Sequence, residues 1–165
     1  MANMSFSMQI AEFIAKTKAN QDLVVRDIVF KIDNKIVDRS PVGNAKFWKH
    51  APPPGYVGGR FRANWQLSLG SPATGMLDAV DKDGSATIAA HGAVNKAAKA
   101  GDVIYLVNNL PYAKRIEEGW SRQAPVGVVA LTVVEFRTIV DNAVNGVRDG
   151  TTAGEFAQGY STYKL

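Results

Sequence analysis

Few side chains in this sequence are able to carry acid–base or metal chemistry. Histidine occurs only at His50 and His91, and neither stands at a metal-ligand spacing from the other or from a patterned carboxylate. Both read as packed or solvated groups. Asp78, Asp81 and Asp83 precede Gly84, but the alternate-position ligands and closing Glu of a calcium loop are missing, so a polar hairpin turn explains them. Glu117 and Glu118 are adjacent, and adjacent residues on a helix point about 100° apart, so they do not face each other as a catalytic pair. One is expected to cap or pair, the other to be solvated. Cysteine is absent, which removes disulfides, thiol catalysis and cysteine-bound zinc. No nucleophile elbow, phosphate-binding glycine loop or dinucleotide fingerprint occurs. No catalytic residue, metal or cofactor is therefore expected, and the chain reads as a non-enzyme. An enzyme reading would need an unfamiliar hydrolytic site around His91 or Glu117.

Recognition chemistry is concentrated in one place. The formal net charge of +4 comes from 19 basic and 15 acidic groups. Residues 1–40 carry six basic and five acidic groups and residues 124–165 three and four, while 63–100 and 101–123 each carry three of both. The excess therefore sits in residues 41–62, where Lys46, Lys49, Arg60 and Arg62 have no acidic neighbour in sequence. Four of the seven prolines and four glycines share that stretch, so it is neither an unbroken helix nor a central strand. A loop of this length inside one domain is usually functional or disordered, and Phe47, Trp48, Tyr56 and Phe61 argue against plain disorder. Basic groups interleaved with aromatics suit two partners. They track a phosphate backbone and stack on bases, or they form a protein contact, because Trp, Tyr, Phe and Arg are enriched in interface cores. The protein contact is the better supported reading, ahead of plain loop packing and of nucleic acid. Its candidate partner-binding residues are Phe47, Trp48, Tyr56, Arg60 and Arg62.

The elements that must hold this loop are legible from periodicity. Between Ser7 and Asp38 there is no proline or glycine, and Ile10, Ile14, Thr17, Gln21, Val24, Ile28, Ile32 and Ile36 recur at steps of three and four. This predicts a helix over 7–38, spanning roughly 45 Å at about 1.5 Å per residue, longer than such a domain is wide. One end is expected to project toward a neighbour. The pairs Asp22/Arg26 and Asp27/Lys31 fall four apart on its expected outer face. From 63 to 69, Trp65, Leu67 and Leu69 alternate with Asn64, Gln66 and Ser68, the period of a half-buried strand. Residues 85–90 read as a second short strand, 94–100 as a short helix, and 102–108 as the most strand-like run in the chain. Pro111 opens a helical turn closed at Gly119. A final helix is expected over 125–147, and the tail over 149–165 keeps Phe156, Tyr160 and Tyr163, which fray or dock.

With 165 residues, 46% of them apolar and 21% charged, the chain fits one domain that buries enough surface to fold without disulfides or a structural metal. The start of the sequence lacks the basic cluster, apolar run and cleavage site of a signal peptide. The longest apolar stretch, 126–134, falls far short of the roughly 20 residues that span a bilayer, so no membrane contact is expected. The fold class expected is α+β, a small, mainly antiparallel sheet packed against a long N-terminal helix and a C-terminal helix.

The order of two motif blocks carries a resemblance. Ser40-Pro41-Val42-Gly43 follows the long helix, and Gly59-Arg60-Phe61-Arg62-Ala63-Asn64-Trp65 enters a strand. Downstream, Asn109-Leu110-Pro111-Tyr112-Ala113 leads through Ile116-Glu117-Glu118-Gly119 to Trp120-Ser121 and Ala124-Pro125. Across roughly residues 10–147 this resembles the small tail-completion or neck protein family of tailed bacteriophages. The stretch 44–58 departs from it, being longer and more aromatic than the short Asp/Thr-Gly link of the pattern. The resemblance implies a non-catalytic virion protein at the head–tail junction, in the host cytoplasm before assembly. It also implies a homo-oligomeric ring, sixfold in the particle, with neck and tail proteins as neighbours and DNA passing close by. The alternative from another class is a nucleic-acid-binding module using 41–62.

Overall fold

The computed structural model describes residues 6–47 and 50–151. Its first helix, α1 (Phe6–Arg39), extends the expected span by one residue at each end. Two further helices, α3 (Ser85–Ala97) and α6 (Phe136–Arg148), lie along it, and both run back toward its N-terminal end. The start of α3 sits by Val37, and just past its end the Ala98 carbonyl accepts from Arg26 Nε at 2.8 Å while the Ala100 N–H donates to Asp22 at 2.8 Å. At the start of α6, Glu135 pairs with Lys35 and Arg39 at 2.8 and 2.7 Å. Burial on α1 begins at Asp22; residues 6–21 are exposed throughout.

Strands β1 (Trp65–Leu69) and β2 (Ile104–Asn108) pair antiparallel, with Trp65 opposite Asn108 and Leu69 opposite Ile104. Trp65 and Leu67 face inward as the period-two pattern requires. The core collects Phe30, Ile36 and Val37 from α1, Phe61 from the single helical turn α2 (Arg60–Ala63), then Trp65, Ile88, Leu110, Ala124 and Val128. The α+β class with an antiparallel sheet on a long N-terminal helix and C-terminal helices is thus observed.

Three local expectations are corrected. Residues 85–90 are not a strand but the first half of α3. The Asp81 carboxylate accepts the N–H groups of Gly84 and Thr87 at 2.9 and 2.8 Å and the Thr87 hydroxyl at 2.8 Å, satisfying amides that a helix start leaves unpaired. Thr87, Ile88, His91 and Asn95 are buried at helical steps, whereas the Ala-rich alternation in sequence fits either period. The final helix begins later than 125 and is interrupted at Glu135, giving α5 (Val129–Val134) and α6. A bond from Glu135 N–H to the Thr132 carbonyl at 3.2 Å tightens the chain there. Asp22 and Arg26 bind the α3 terminus rather than each other, and Asp27 pairs with Lys31 from a buried position, not from an outer face.

Candidate partner-binding loop

The loop 41–62 leaves and re-enters the body at one point. Gly58 lies against the Gly43 carbonyl and the Val42 side chain so closely that a Cβ there would overlap the backbone. Gly59 has φ 106°, a left-handed value, and its Cα faces the Asp81 backbone with no room for a side chain. The Asp81 N–H donates to the Gly59 carbonyl at 3.3 Å. Chain ends held together in this way define a compact surface excursion.

The five candidate residues divide by what the base does with them. Tyr56 turns inward: it is half-buried, with its hydroxyl over Gly43. Arg62 is spent on the fold, its guanidinium donating to the carbonyls of Lys82, Asp38 and Ser40 at 2.6, 2.8 and 3.0 Å. It thereby terminates α1, whose last carbonyls need donors. Burial raises the Asp38 pKa and the adjacent Arg62 charge opposes that rise. Arg60 is exposed. Phe47 closes a short 3-10 turn, Ala45–Phe47, and Trp48 lies outside the described residues. In sequence, all four cations of the segment lack an acidic neighbour. Carbonyls at the α1 terminus, not a carboxylate, take up Arg62, and no local pattern signals that.

Residues of the second motif block complete the base. The Gln123 side chain clamps Val42, accepting its N–H at 3.2 Å and donating to its carbonyl at 3.0 Å. The Tyr112 ring lies 6.2 Å from Phe61, which meets Trp65 edge-on at 5.9 Å and 77°. Asn108 Nδ2 donates to the Phe61 carbonyl at 2.9 Å. Burial pushes the Tyr112 hydroxyl pKa up, with the Arg60 charge opposing and Tyr56 adding to the rise. Residues 40–43 and 59–65 and residues 109–125, the segments of the two motif blocks, therefore meet in space. Gln123 was not singled out in sequence; its only signal was its place between Ser121 and Ala124 in the second block.

Glu117, the last residue of the short helix α4 (Ala113–Glu117), has a structural task. Its carboxylate accepts the N–H groups of Val128, Val129 and Ala130 at 2.9, 3.0 and 2.7 Å and so caps α5. Burial disfavours its charge, but the three amide bonds outweigh burial and leave its pKa below the ordinary carboxylate value. Glu118 is exposed and 3.7 Å from Lys114. The Glu117→Ala variant is expected to lose about 1–2 kcal/mol at neutral pH. Because the folded pKa is depressed, that contribution is present above the unfolded carboxylate value and fades as pH falls through the folded one. Urea unfolding of both proteins at pH 7 and at pH 3 checks this: the gap in midpoint should narrow in acid.

His91 is likewise engaged on both sides. Its Nδ1 lies 2.8 Å from Asp33 Oδ1 and its Nε2 2.9 Å from the Trp65 carbonyl, all three buried between α1, α3 and β1. Neither ring nitrogen opens to a substrate. Among the described residues no group of three or more His, Asp or Glu side chains is arranged to hold a metal ion, and no helix is long and apolar enough to cross a membrane. Compared with known proteins, the chain matches no family model, no curated protein and no solved structure.

Proposed function

We propose that the protein is a structural component of a phage neck or tail junction, assembling into a ring that completes the tail without catalysis. The observation that carries this reading is the ordered pair of motif blocks, and its support in the fold is their role. They form one braced base, with Gln123 on Val42 and Tyr112 against Phe61, which holds the two ends of the cationic, aromatic loop. A cyclic ring needs heterologous contacts, one patch of each subunit meeting a different patch of the next. Tyr56 and Arg62 serve the base, while Lys46 and Arg60 are exposed and open to such a contact; we assign Phe47 and Trp48 to it from the sequence alone.

The nucleic-acid alternative loses one of its four cations to the α1 terminus. Disrupting the gene in the phage that carries it should leave finished heads and separate tails in electron micrographs. Joined particles from the disrupted phage would overturn the reading. So would tight DNA binding by the purified protein with a log–log salt slope near −3 to −4 and no incorporation into particles.

A further inference from the structure

The first half of α1 presents an apolar stripe that nothing in the described chain covers. Phe6 and Phe13 are 78% and 68% exposed, and Ile10 and Ile14 are exposed beside them. Together they offer on the order of 400 Å² of apolar surface, a size at which a patch on a monomer is usually functional or covered.

The stripe is not an isolated patch. From Phe6, Ile10 and Ile14 it passes through Thr17, Gln21, Val24, Ile28 and Ile32 to Lys35 and Arg39 in steps of three and four, which keeps it on one helix face. At its far end the cover is α6, entered from the Glu135 that pairs with Lys35 and Arg39 at 2.8 and 2.7 Å. The face under α3, marked by Asp33, Arg26 and Asp22, continues instead as Ala19, Ala15 and Ala11. Only the α6 face stays rich in large apolar groups beyond the point where both covering helices stop.

Chain is available to extend that cover. α6 starts opposite the end of α1 and runs 13 residues, or about 20 Å back along it, which brings it to the level of Asp22 where the exposed arm begins. Residues 152–165 follow and lie outside the described part of the chain. Phe156, Tyr160 and Tyr163 stand four and three apart in that segment, the spacing of the stripe they would meet. We propose that residues 152–165 run back along α1 of the same chain and cover the stripe of residues 6–21, prolonging the α1–α6 interface. This inference is independent of the virion reading.

The absence of cysteine makes the test direct. The full-length chain carrying Thr17→Cys, on the stripe, and Gly159→Cys, between the tail aromatics, should form an intramolecular disulfide on mild oxidation, read by non-reducing gels and intact mass. With Ala19→Cys, on the opposite face, in place of Thr17→Cys, the yield should fall at least fivefold. Equal yields at the two positions, a predominantly intermolecular product, or no disulfide would each overturn the proposal. A second measurement leaves the helix untouched: Ser at Phe156, Tyr160 and Tyr163 together should speed amide exchange across residues 10–20 at least tenfold while leaving α3 and β1 unchanged. Unchanged exchange in the arm would overturn the proposal as well.

Discussion

Replacing Asp33 by Ala is expected to cost about 3–5 kcal/mol, because it strips a buried imidazole of its partner. The His91 ring lies between two oxygens, Asp33 Oδ1 at 2.8 Å and the Trp65 carbonyl at 2.9 Å. A carbonyl only accepts, so Nε2 carries a proton, and a second proton must lie between Nδ1 and the carboxyl. Burial raises the Asp33 pKa above its ordinary value, with the hydrogen bond and charge of His91 opposing and Asp38 adding to the rise. The folded state therefore holds that proton more tightly than the unfolded chain does. For a carboxyl shifted upward, the stabilisation is complete below the unfolded carboxylate value and is lost as pH rises through the folded one. Asp33→Asn mimics the protonated carboxyl, since its amide donates to Nδ1 while its carbonyl takes the place of Oδ2, which has no hydrogen-bond partner among the described residues. Asn should recover most of the loss seen with Ala and flatten the fall in stability above the carboxylate range. Urea midpoints of the three proteins from pH 4 to pH 8 decide the matter: equal damage from Ala and Asn would rule out a shared proton.

A loss of similar size, about 3–5 kcal/mol, is expected for Trp65→Ala. Trp65 is 6% exposed and stands at the meeting point of the fold's parts. Its indole N–H donates to Ser40 Oγ at 2.7 Å, and that hydroxyl donates in turn to the Ile36 carbonyl at 2.7 Å. Its ring meets Phe61, and its own carbonyl receives His91. Trp65→Phe keeps most of the apolar volume and removes only the N–H, so it should cost about 1–2 kcal/mol. Denaturant unfolding followed by circular dichroism separates the two variants. A Phe variant as damaged as the Ala variant would mean that the hydrogen bond to Ser40, and not packing, fixes the strand to α1.

The elements that rest on one strong period were legible in the sequence. α1 follows from apolar steps of three and four, β1 and β2 from β-rich runs, and the turn at Gly119 from its position after a short helix. Failures arose where a distant partner settled a local tie. Ser85-Ala86-Thr87-Ile88 fits strand or helix until the Asp81 carboxylate takes up the amides of Gly84 and Thr87. Asp81 and Asp83 fit a polar hairpin turn in sequence, but an acidic group just ahead of a helix is also a capping signal, and both accept amides at the start of α3. The Asp33–His91 pair joins positions 58 residues apart, and a lone histidine in an Ala-rich segment gives no hint of it. Within the loop, composition located the cationic segment but not the fate of each cation. Arg62 went to backbone carbonyls because it directly follows Phe61, which the core holds in place.

The contact of Gly58 with Gly43 makes the segment between them a cassette. Once its two ends are fastened to each other and braced by Gln123, the domain's stake in what they enclose narrows to Tyr56, whose hydroxyl lies over Gly43. Doubling the length of a flexible loop adds only about 0.6 kcal/mol of closure entropy, so insertions or exchanges there that keep Tyr56 leave the fold nearly untouched. Selection is then free to rewrite the loop to suit whatever it meets, at a pace the core does not share. With Tyr56 kept, the segment between residues 43 and 58 is a ready port for grafting other binding sequences onto the same scaffold.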